Sequence, residues 1–236
     1  NIGSENFRWR TSLNLTFPEN RLFSYPGLQE SSYANTYKVG EPLNIALQYE
    51  YAGIDPETGL YQVVDIDGDG MLDFDDRNRV WDRGPSLFGG ISNSLEYKNF
   101  SLRFLWQFTK QEGILALFQG GVPENQRADV IRSLQANSPF QQPSTSIDAA
   151  RAYNNVLISG LPVTDASFLR LKTLDFGYSI PRSLMQTIGL TGGRLFVSGQ
   201  NLITLTPYKG MDPEMPGRGT AFSALRTVTG GIQLNF

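Results

Sequence analysis

The chain has 236 residues, a formal net charge of −3, no cysteine and no histidine. The lack of cysteine excludes disulfides and thiolate metal sites, and the lack of histidine excludes imidazole catalysis and most zinc chemistry. The weak net charge provides no basic field for a nucleic-acid partner. Aromatic residues are plentiful, at 12%, and charged residues are scarce, at 18%, so the composition is not that of a disordered chain. We therefore expect an all-β protein that is not an enzyme and binds no nucleic acid.

Seven segments alternate apolar and polar residues with a period of two, which predicts β-strands with one apolar face. In the first segment, aromatic and aliphatic residues predominate at the odd positions from Phe7 to Phe17, and polar residues occupy the even ones. Glycine interrupts the third segment, and the sixth has a less regular alternation. The predicted strands span residues 7–17, 43–53, 87–97, 100–109, 168–180, 194–205 and 224–236.

Such alternation suits either a soluble sandwich with its apolar faces inward or a transmembrane barrel with its apolar face toward lipid. Three features favour the barrel. Most segments have close to the ~9–11 residues that a tilted strand needs to cross a bilayer. Aromatic residues gather at the segment ends, as in interfacial girdles. Long connections (54–86, 110–167, 206–223) interleave with shorter ones (98–99, 181–193), although the long 18–42 connection breaks this pattern.

The number of predicted strands sets a further constraint. Seven strands are fewer than the ~8 of the smallest transmembrane barrels, and an odd number cannot close by antiparallel pairing alone. Unpaired backbone edges are not tolerated in hydrocarbon, so the first and last strands need further strands beside them. We expect these strands to come from an upstream segment or from another chain.

Three stretches of the sequence carry a family resemblance. They are residues 65–77 (DIDGDGMLDFDDR) followed by 97–100 (YKNF), residues 167–172 (SFLRLK) followed by 177–181 (GYSIP), and residues 197–202 (VSGQNL) followed by 208–214 (YKGMDPE). In order and spacing these stretches resemble the C-terminal part of the SusC/RagA family of TonB-dependent outer-membrane transporters of Bacteroidota. The resemblance covers nearly the whole chain.

The resemblance implies that residues 1–236 are the C-terminal section of a large antiparallel transmembrane β-barrel. About seven strands of a ~22-stranded barrel would lie in this chain, with the plug and the segment that contacts TonB absent from it. The function implied is import of oligosaccharides or oligopeptides across the Gram-negative outer membrane. The partners implied are the rest of the barrel and its plug, a SusD-like lipoprotein lid, TonB and outer-membrane lipid.

The resemblance also implies a direction for each strand, because the C-terminus of such a barrel is periplasmic. The last predicted strand then runs toward the periplasm, and the strands before it alternate. Residues 87–97 and 7–17 are both predicted to run toward the periplasm, with 43–53 running outward between them. The connections 54–86, 110–167 and 206–223 are predicted to be extracellular.

The acidic loop, residues 65–76, is the most specific chemical motif of the sequence. Six of its residues stand at the ligand positions of a calcium loop, and Gly70 permits the sharp turn. The alternative is a solvated Asp–Gly turn with Asp–Arg pairs, and the sequence leaves both readings open. A structural Ca²⁺ would be held by Asp65, Asp67, Asp69, the carbonyl of Met71, Asp73 and Asp76.

The final strand is the second motif, because it ends the chain on an aromatic residue. The resemblance implies that barrel-assembly machinery reads this strand, whereas the simpler interpretation is that its last side chain packs in the aromatic girdle. The residues of this predicted assembly signal are Val228, Ile232, Leu234 and Phe236. The sequence assigns no substrate-binding residue.

Two other functions remain open from the sequence. The first is a barrel retained as a scaffold or as a secretion-associated outer-membrane subunit. The second is a soluble, calcium-stabilised β-sandwich that binds glycans. Extraction without detergent separates the sandwich from either barrel.

Overall fold

The computed structural model describes residues 2–4, 6–115, 147–217 and 222–236, which form one large antiparallel sheet and several small elements in its connections. Strands β1, β2, β7, β8, β11, β12 and β13 form the large sheet in that order, and the remaining strands form two-stranded pairs. In chain order the elements are β1 (Ile2–Ser4), β2 (Phe7–Thr16), β3 (Ile45–Gln48), β4 (Tyr51–Ile54), β5 (Tyr61–Val63), β6 (Arg79–Asp82), β7 (Leu87–Tyr97), β8 (Phe100–Lys110), β9 (Glu112–Ile114), α1 (Ile147–Leu157), β10 (Val163–Asp165), β11 (Phe168–Ile180), α2 (Arg182–Thr187), β12 (Gly192–Leu205) and β13 (Thr227–Asn235).

One face of the large sheet is apolar from strand to strand. The register brings apolar residues opposite one another, so that one row across the sheet contains Trp9, Leu95, Leu102, Phe176 and Val197. These side chains stay accessible: Trp9 is 38% exposed, Phe176 45% and Val197 51%. A soluble sandwich would cover such a face with a second sheet. The described ranges contain no second large sheet that could do so.

A bulge in β11 keeps this face continuous. Leu171 pairs with Trp106 and Thr173 with Leu105, which leaves Lys172 as the extra residue. The bulge reverses the side-chain alternation, and therefore Leu171 on one side of it shares the apolar face with residues such as Leu174 and Phe176 on the other. The pairing of β11 with β12 shifts its register at the same level, and Ile203 beyond the shift lies on the same face as Val197 before it.

The prediction that residues 43–53 form one strand of the large sheet is wrong. The chain instead forms β3, which pairs with β6, and β4, which pairs with β5. Between them the Tyr49 N–H donates to the carbonyl of Ile158 at 3.1 Å, and the Gly160 N–H donates to the carbonyl of Tyr49 at 3.1 Å. These bonds divert the chain toward residues 158–160 and bury Tyr49, which is only 1% exposed. The alternation of apolar and polar residues in this segment therefore comes from burial among the connections and does not mark a strand of the large sheet.

The predicted relative direction of residues 7–17 is wrong for the same reason. Strand β2 pairs directly and antiparallel with β7, so the two strands run in opposite directions. The seventh strand of the sheet is the short β1, which pairs with the other edge of β2. Consequently the connections 17–86, 111–167 and 206–226 all leave one end of the sheet, and the connections 98–99 and 181–191 leave the other. The contrast between long and short connections is sharper than the sequence predicted.

The long connections contain a hydrophobic core of their own. Val156 on α1 is fully buried against Tyr61 of β5, and the rings of Tyr61 and Tyr153 lie 6.4 Å apart. Helix α1 has 11 residues and α2 has 6. Among the described residues, no helix is both long and apolar enough to span a membrane.

A buried ion cluster ties the connection 206–226 to the sheet. The guanidinium of Arg170 on β11 contacts Asp212 at 2.6 Å and Glu214 at 2.7 Å, and the ammonium of Lys172 contacts Glu214 at 2.6 Å. The Arg170 side chain is 4% exposed and that of Asp212 is 2% exposed. Nε of Arg170 also donates to the Thr204 hydroxyl of β12 at 2.9 Å. The cluster therefore joins the stretches 167–172 and 208–214, which the sequence analysis treated as separate motifs.

Asp212 is the centre of this cluster. Its carboxylate accepts hydrogen bonds from the N–H groups of Glu214 at 2.9 Å and Ala224 at 2.8 Å, in addition to those from Arg170. Burial raises the pKa of Asp212, but the hydrogen bonds from Arg170 and the two N–H groups outweigh it and hold the pKa below its usual range. Asp212 thus fastens residues on both sides of the segment 218–221 to β11.

We expect the substitution Asp212→Asn to destabilise the folded protein by about 3 kcal/mol, because it removes one partner of a buried charge pair. The measurement is urea unfolding of the full-length protein in detergent. The matched control is Asp148→Asn on α1, since the Asp148–Arg151 pair is exposed and contributes less than about 1 kcal/mol. Equal destabilisation by the two substitutions would contradict this assignment.

The stabilisation by Asp212 should also depend on pH. Since its pKa in the folded state is lowered, this contribution is complete above the unfolded value of ~3.9 and is lost as the pH falls toward the folded value. The Asp212→Asn variant should lack this part of the acid sensitivity. Unfolding midpoints of the two proteins measured from pH 6 downward provide the check, and parallel curves would count against it.

Candidate functional site

The acidic loop brings three of its carboxylates together. Carboxylate oxygens of Asp65, Asp67 and Asp76 all lie within 4.8 Å of one another. Asp76 is fully buried, whereas Asp67 is exposed. These residues stand at positions 1, 3 and 12 of the predicted calcium loop, so its first and last positions meet in space.

Backbone N–H groups hold this loop closed. Asp65 accepts from the N–H groups of Gly68 at 2.7 Å and Gly70 at 2.9 Å. Asp76 accepts from the N–H groups of Ile66 at 2.7 Å and Asp73 at 3.0 Å, which bridges the start and end of the loop. Gly70 has φ +81°, a left-handed conformation that glycine adopts without strain. The sequence therefore closes the loop with its own backbone donors.

The carboxylates of this loop have opposite pKa shifts. The N–H groups of Asp73 and Ile66 hold the pKa of Asp76 below its usual range, despite burial. The N–H of Asp69 lowers the pKa of Asp67, but burial and the negative charges of Asp69, Asp76 and Asp65 outweigh it. The pKa of Asp67 is therefore raised. The backbone N–H groups therefore compensate only part of the negative charge of Asp65, Asp67 and Asp76.

The other predicted ligands have different positions. Asp69 accepts from the Met71 N–H at 2.7 Å and Asp73 accepts from the Asp75 N–H at 2.8 Å, and neither belongs to the carboxylate group. The Met71 side chain is 65% exposed, and the predicted ligand was its carbonyl. Within the described part of the chain, no carboxylate of the loop forms an ion pair with arginine. A calcium ion needs about 6–8 oxygens, so three carboxylates supply part of a site.

The polar face of the sheet carries a surplus of arginine. Arg8 pairs with Glu96 at 3.3 Å and Arg194 pairs with Asp175 at 2.6 Å. In the described ranges, two further arginines on this face have no hydrogen-bond or ion-pair partner. They line a shallow cavity of about 480 Å³ together with small hydroxyl residues; the lining includes Arg10, Arg103, Ser12, Ser92 and Ser94. This face is hydrophilic and cationic, opposite the apolar one.

The predicted assembly signal lies at one edge of the sheet. Val228, Ile232 and Leu234 of β13 share the apolar face, and Ile232 lies opposite Leu195 of β12. Phe236 follows the strand and is 91% exposed, with its carbonyl accepting from the Thr191 hydroxyl at 3.2 Å. In the described residues, the other edge of β13 has no strand beside it. Recognition of these residues by assembly machinery stays a prediction.

A cavity in the long connections was missed by the sequence analysis. It has a volume of about 760 Å³ and lies between residues 25–39 and residues 74–78, with Leu47 also in its wall. Arg77 lines it and contacts two aromatic rings. One of these rings belongs to Tyr49, which is distant in sequence, so the only available signal was an arginine at the end of the acidic stretch.

Comparison with known proteins shows similarity over the whole chain, although no family model matches it. The TonB-dependent receptor P3 of Formosa agariphila is 29% identical over 280 residues, covering 100% of this chain and 27% of the relative. The TonB-dependent receptor SusC of Bacteroides thetaiotaomicron is 25% identical over 235 residues, covering 91% of this chain and 23% of the relative. The chain thus spans about a quarter of the length of these receptors.

Solved structures show the same fold. The RagAB peptide transporter matches with a TM-score of 0.68 at 24% identity, covering 100% of this chain and 28% of that chain. The open-open state of the RagAB peptide importer matches with a TM-score of 0.67 at 23% identity, covering 99% of this chain and 27% of that chain. The large antiparallel sheet is therefore consistent with a fragment of a TonB-dependent receptor barrel. The resemblance indicated by the sequence motifs is confirmed: the chain matches a SusC/RagA-like C-terminal section of TonB-dependent receptors.

Proposed function

We propose that this chain is part of the wall of an outer-membrane importer of oligosaccharides or oligopeptides that is driven through TonB. The observation that carries the proposal is the two-faced sheet. Its apolar face is accessible across neighbouring strands, and its opposite face has ion pairs and two arginines without a partner among the described residues. A barrel wall needs this arrangement, with lipid on one side and an aqueous lumen on the other.

The edges of the sheet support completion of the barrel by further strands. Strands β1 and β13 form its two ends in the described residues. Open backbone edges in hydrocarbon are costly, so the remaining strands and a plug in the lumen are expected from the rest of the receptor.

The orientation follows from the lengths of the connections. In outer-membrane barrels the long connections face the exterior and the short turns face the periplasm. The connections 17–86, 111–167 and 206–226 therefore form the outer surface, and the C-terminus is periplasmic. A SusD-like lipoprotein would close over this outer surface as a lid. The similar RagAB structures are described as a peptide importer, which makes peptides one class of cargo to test.

Uptake is the direct test of this proposal. Cells that express the full-length receptor should accumulate labelled oligopeptide or oligosaccharide, and deletion of the receptor or of TonB should abolish the accumulation. Replacement of the SusD-like lipoprotein gene by an inactive copy should reduce uptake strongly. A receptor that inserts normally but supports no uptake from a panel of both solute classes would instead favour the scaffold alternative.

The lipid-facing assignment is tested by a pair of neighbouring substitutions on β12. Val197→Lys places a charge on the apolar face, whereas Ser198→Lys places it on the polar face opposite Asp175. We expect Val197→Lys to lower the free energy of unfolding by up to about 2–4 kcal/mol, with a smaller loss near the bilayer surface. Ser198→Lys should change it little.

The measurement is urea unfolding of the full-length receptor in lipid vesicles. A reversed ranking of the two lysine variants would contradict the lipid-facing assignment. A sandwich core would penalise Val197→Lys as lipid does, so the ranking by itself does not separate the sandwich from the barrel. The sandwich predicts extraction without detergent, which gives an independent check.

We also propose that the acidic loop holds a structural Ca²⁺. The three converging carboxylates of Asp65, Asp67 and Asp76 support this. Burial and the neighbouring negative charges raise the pKa of Asp67, and a bound cation would offset those charges. The role proposed is to stabilise the outer connections, with no part in catalysis.

Ca²⁺ should raise the thermal unfolding temperature of the full-length receptor, and chelation should reverse the rise. The double substitution Asp65→Asn and Asp67→Asn should remove this response, because it neutralises two of the three ligands. Asp82→Asn is the matched control, since Asp82 forms a similar turn with Gly84 outside the group. A Ca²⁺ response that persists in the double variant would contradict the proposal.

A further inference from the structure

We infer that the cavity beside Arg77 binds the carboxylate group of a solute. The inference deepens the proposed function and rests on it, because solute reaches this cavity from outside only if the long connections face the exterior. The volume of about 760 Å³ lies within the range of ~300–1,000 Å³ that small-molecule sites occupy.

Aromatic contacts hold the guanidinium of Arg77 in place. Its central carbon lies 4.0 Å from the centre of the Phe74 ring and 4.9 Å from the centre of the Tyr49 ring. Tyr49 is 1% exposed and fixed by backbone bonds to residues 158–160, so it is a rigid support. Contacts of this kind occupy the faces of a guanidinium and leave its N–H edge available.

The N–H donors of Arg77 are unused within the described residues. No described residue forms an ion pair or a side-chain hydrogen bond with this guanidinium, and its Nε is buried without a partner among those residues. A ligand in the cavity does not reach this enclosed Nε, so the donors available to it are the two terminal nitrogens of the guanidinium. The donor edge of a guanidinium matches the two oxygens of a carboxylate, which it binds through two parallel hydrogen bonds.

The rest of the lining favours a ligand with one negative charge. Lys38 adds a positive charge to the wall, but Glu30 and Asp75 add negative ones. These acids would repel a polyanion, whereas a single carboxylate can bind at Arg77 and keep away from them. Tyr25 and Tyr37 also line the cavity and offer surfaces for a sugar ring or a side chain. A uronic-acid sugar and a peptide C-terminus both carry such a carboxylate.

Binding to purified full-length receptor, measured by calorimetry, tests the inference and distinguishes the two sources. One arm compares galacturonate, which has a single carboxylate, with galactose, and the other compares tri-alanine with its C-terminal amide. In at least one arm the acid should bind tenfold or more tightly than its neutral counterpart, because charge-assisted hydrogen bonds are lost in the latter. The arm that responds identifies the source of the carboxylate.

The variant Arg77→Gln should abolish this preference for the acid, and Arg77→Lys should retain only part of it, because lysine keeps the charge but lacks the planar fork. Arg83→Gln is the matched control: Arg83 also stacks on an aromatic ring, 5.7 Å from the centre of Trp81, but does not line the cavity. Thermal unfolding of each variant checks its folding, and Arg77→Lys replaces Arg77→Gln if the latter does not fold.

Equal binding of acid and neutral probes by the unmodified receptor, or an unchanged preference in the Arg77 variants, would overturn the inference. Binding is measured apart from uptake, so the two proposals fail separately. Uptake without Arg77-dependent binding contradicts only the carboxylate site. Arg77-dependent binding without uptake contradicts only the importer.

Discussion

Backbone hydrogen bonding within one continuous antiparallel sheet is the constraint on which the rest of this structure depends. Strands β2, β7, β8, β11, β12 and β13 are long, and each pairs with its neighbours along most of its length. In the proposed membrane setting this pairing must be complete, since hydrocarbon contains no water to replace a lost bond. The wall strands therefore have little freedom, and variation in length is confined to the connections. The three longest connections, 17–86, 111–167 and 206–226, leave the same end of the sheet.

The buried residues lie in the connections and the apolar face of the sheet is accessible, whereas a soluble sandwich buries the apolar faces of its sheets. The sheet keeps an accessible apolar face, whereas Tyr49, Val156 and Asp76 in the connections are almost wholly buried. The ion cluster around Arg170 links these two regions, because it stands where β11 meets the connection 206–226. Arg170 and the bulge residue Lys172 both contact Glu214, and the bulge keeps the apolar face continuous across this level of the sheet.

The sequence predicted the long strands of the large sheet well because alternation with a period of two depends only on which side chains lie on its apolar face. It failed at residues 43–53 because the same period arises in any half-buried strand, and periodicity does not identify the partner strand. Ile158 and Gly160, which divert that segment, lie far along the chain. Asp65, Asp67 and Asp76 converge because local spacing governs loop closure, and their role as calcium ligands stays a prediction. The cavity at Arg77 depends on tertiary contacts and had no comparable signal.

Asp76 and Arg77 are neighbours in sequence with opposite environments, and this contrast separates the two sites proposed in the connections. The Asp76 carboxylate turns inward and accepts the N–H groups of Ile66 and Asp73, which close the acidic loop. The Arg77 guanidinium turns toward Phe74, Tyr49 and the cavity. Because backbone donors already close the loop, the position of Arg77 does not require a bound cation. Calcium would add stability to the loop, and the carboxylate site would keep its geometry without it.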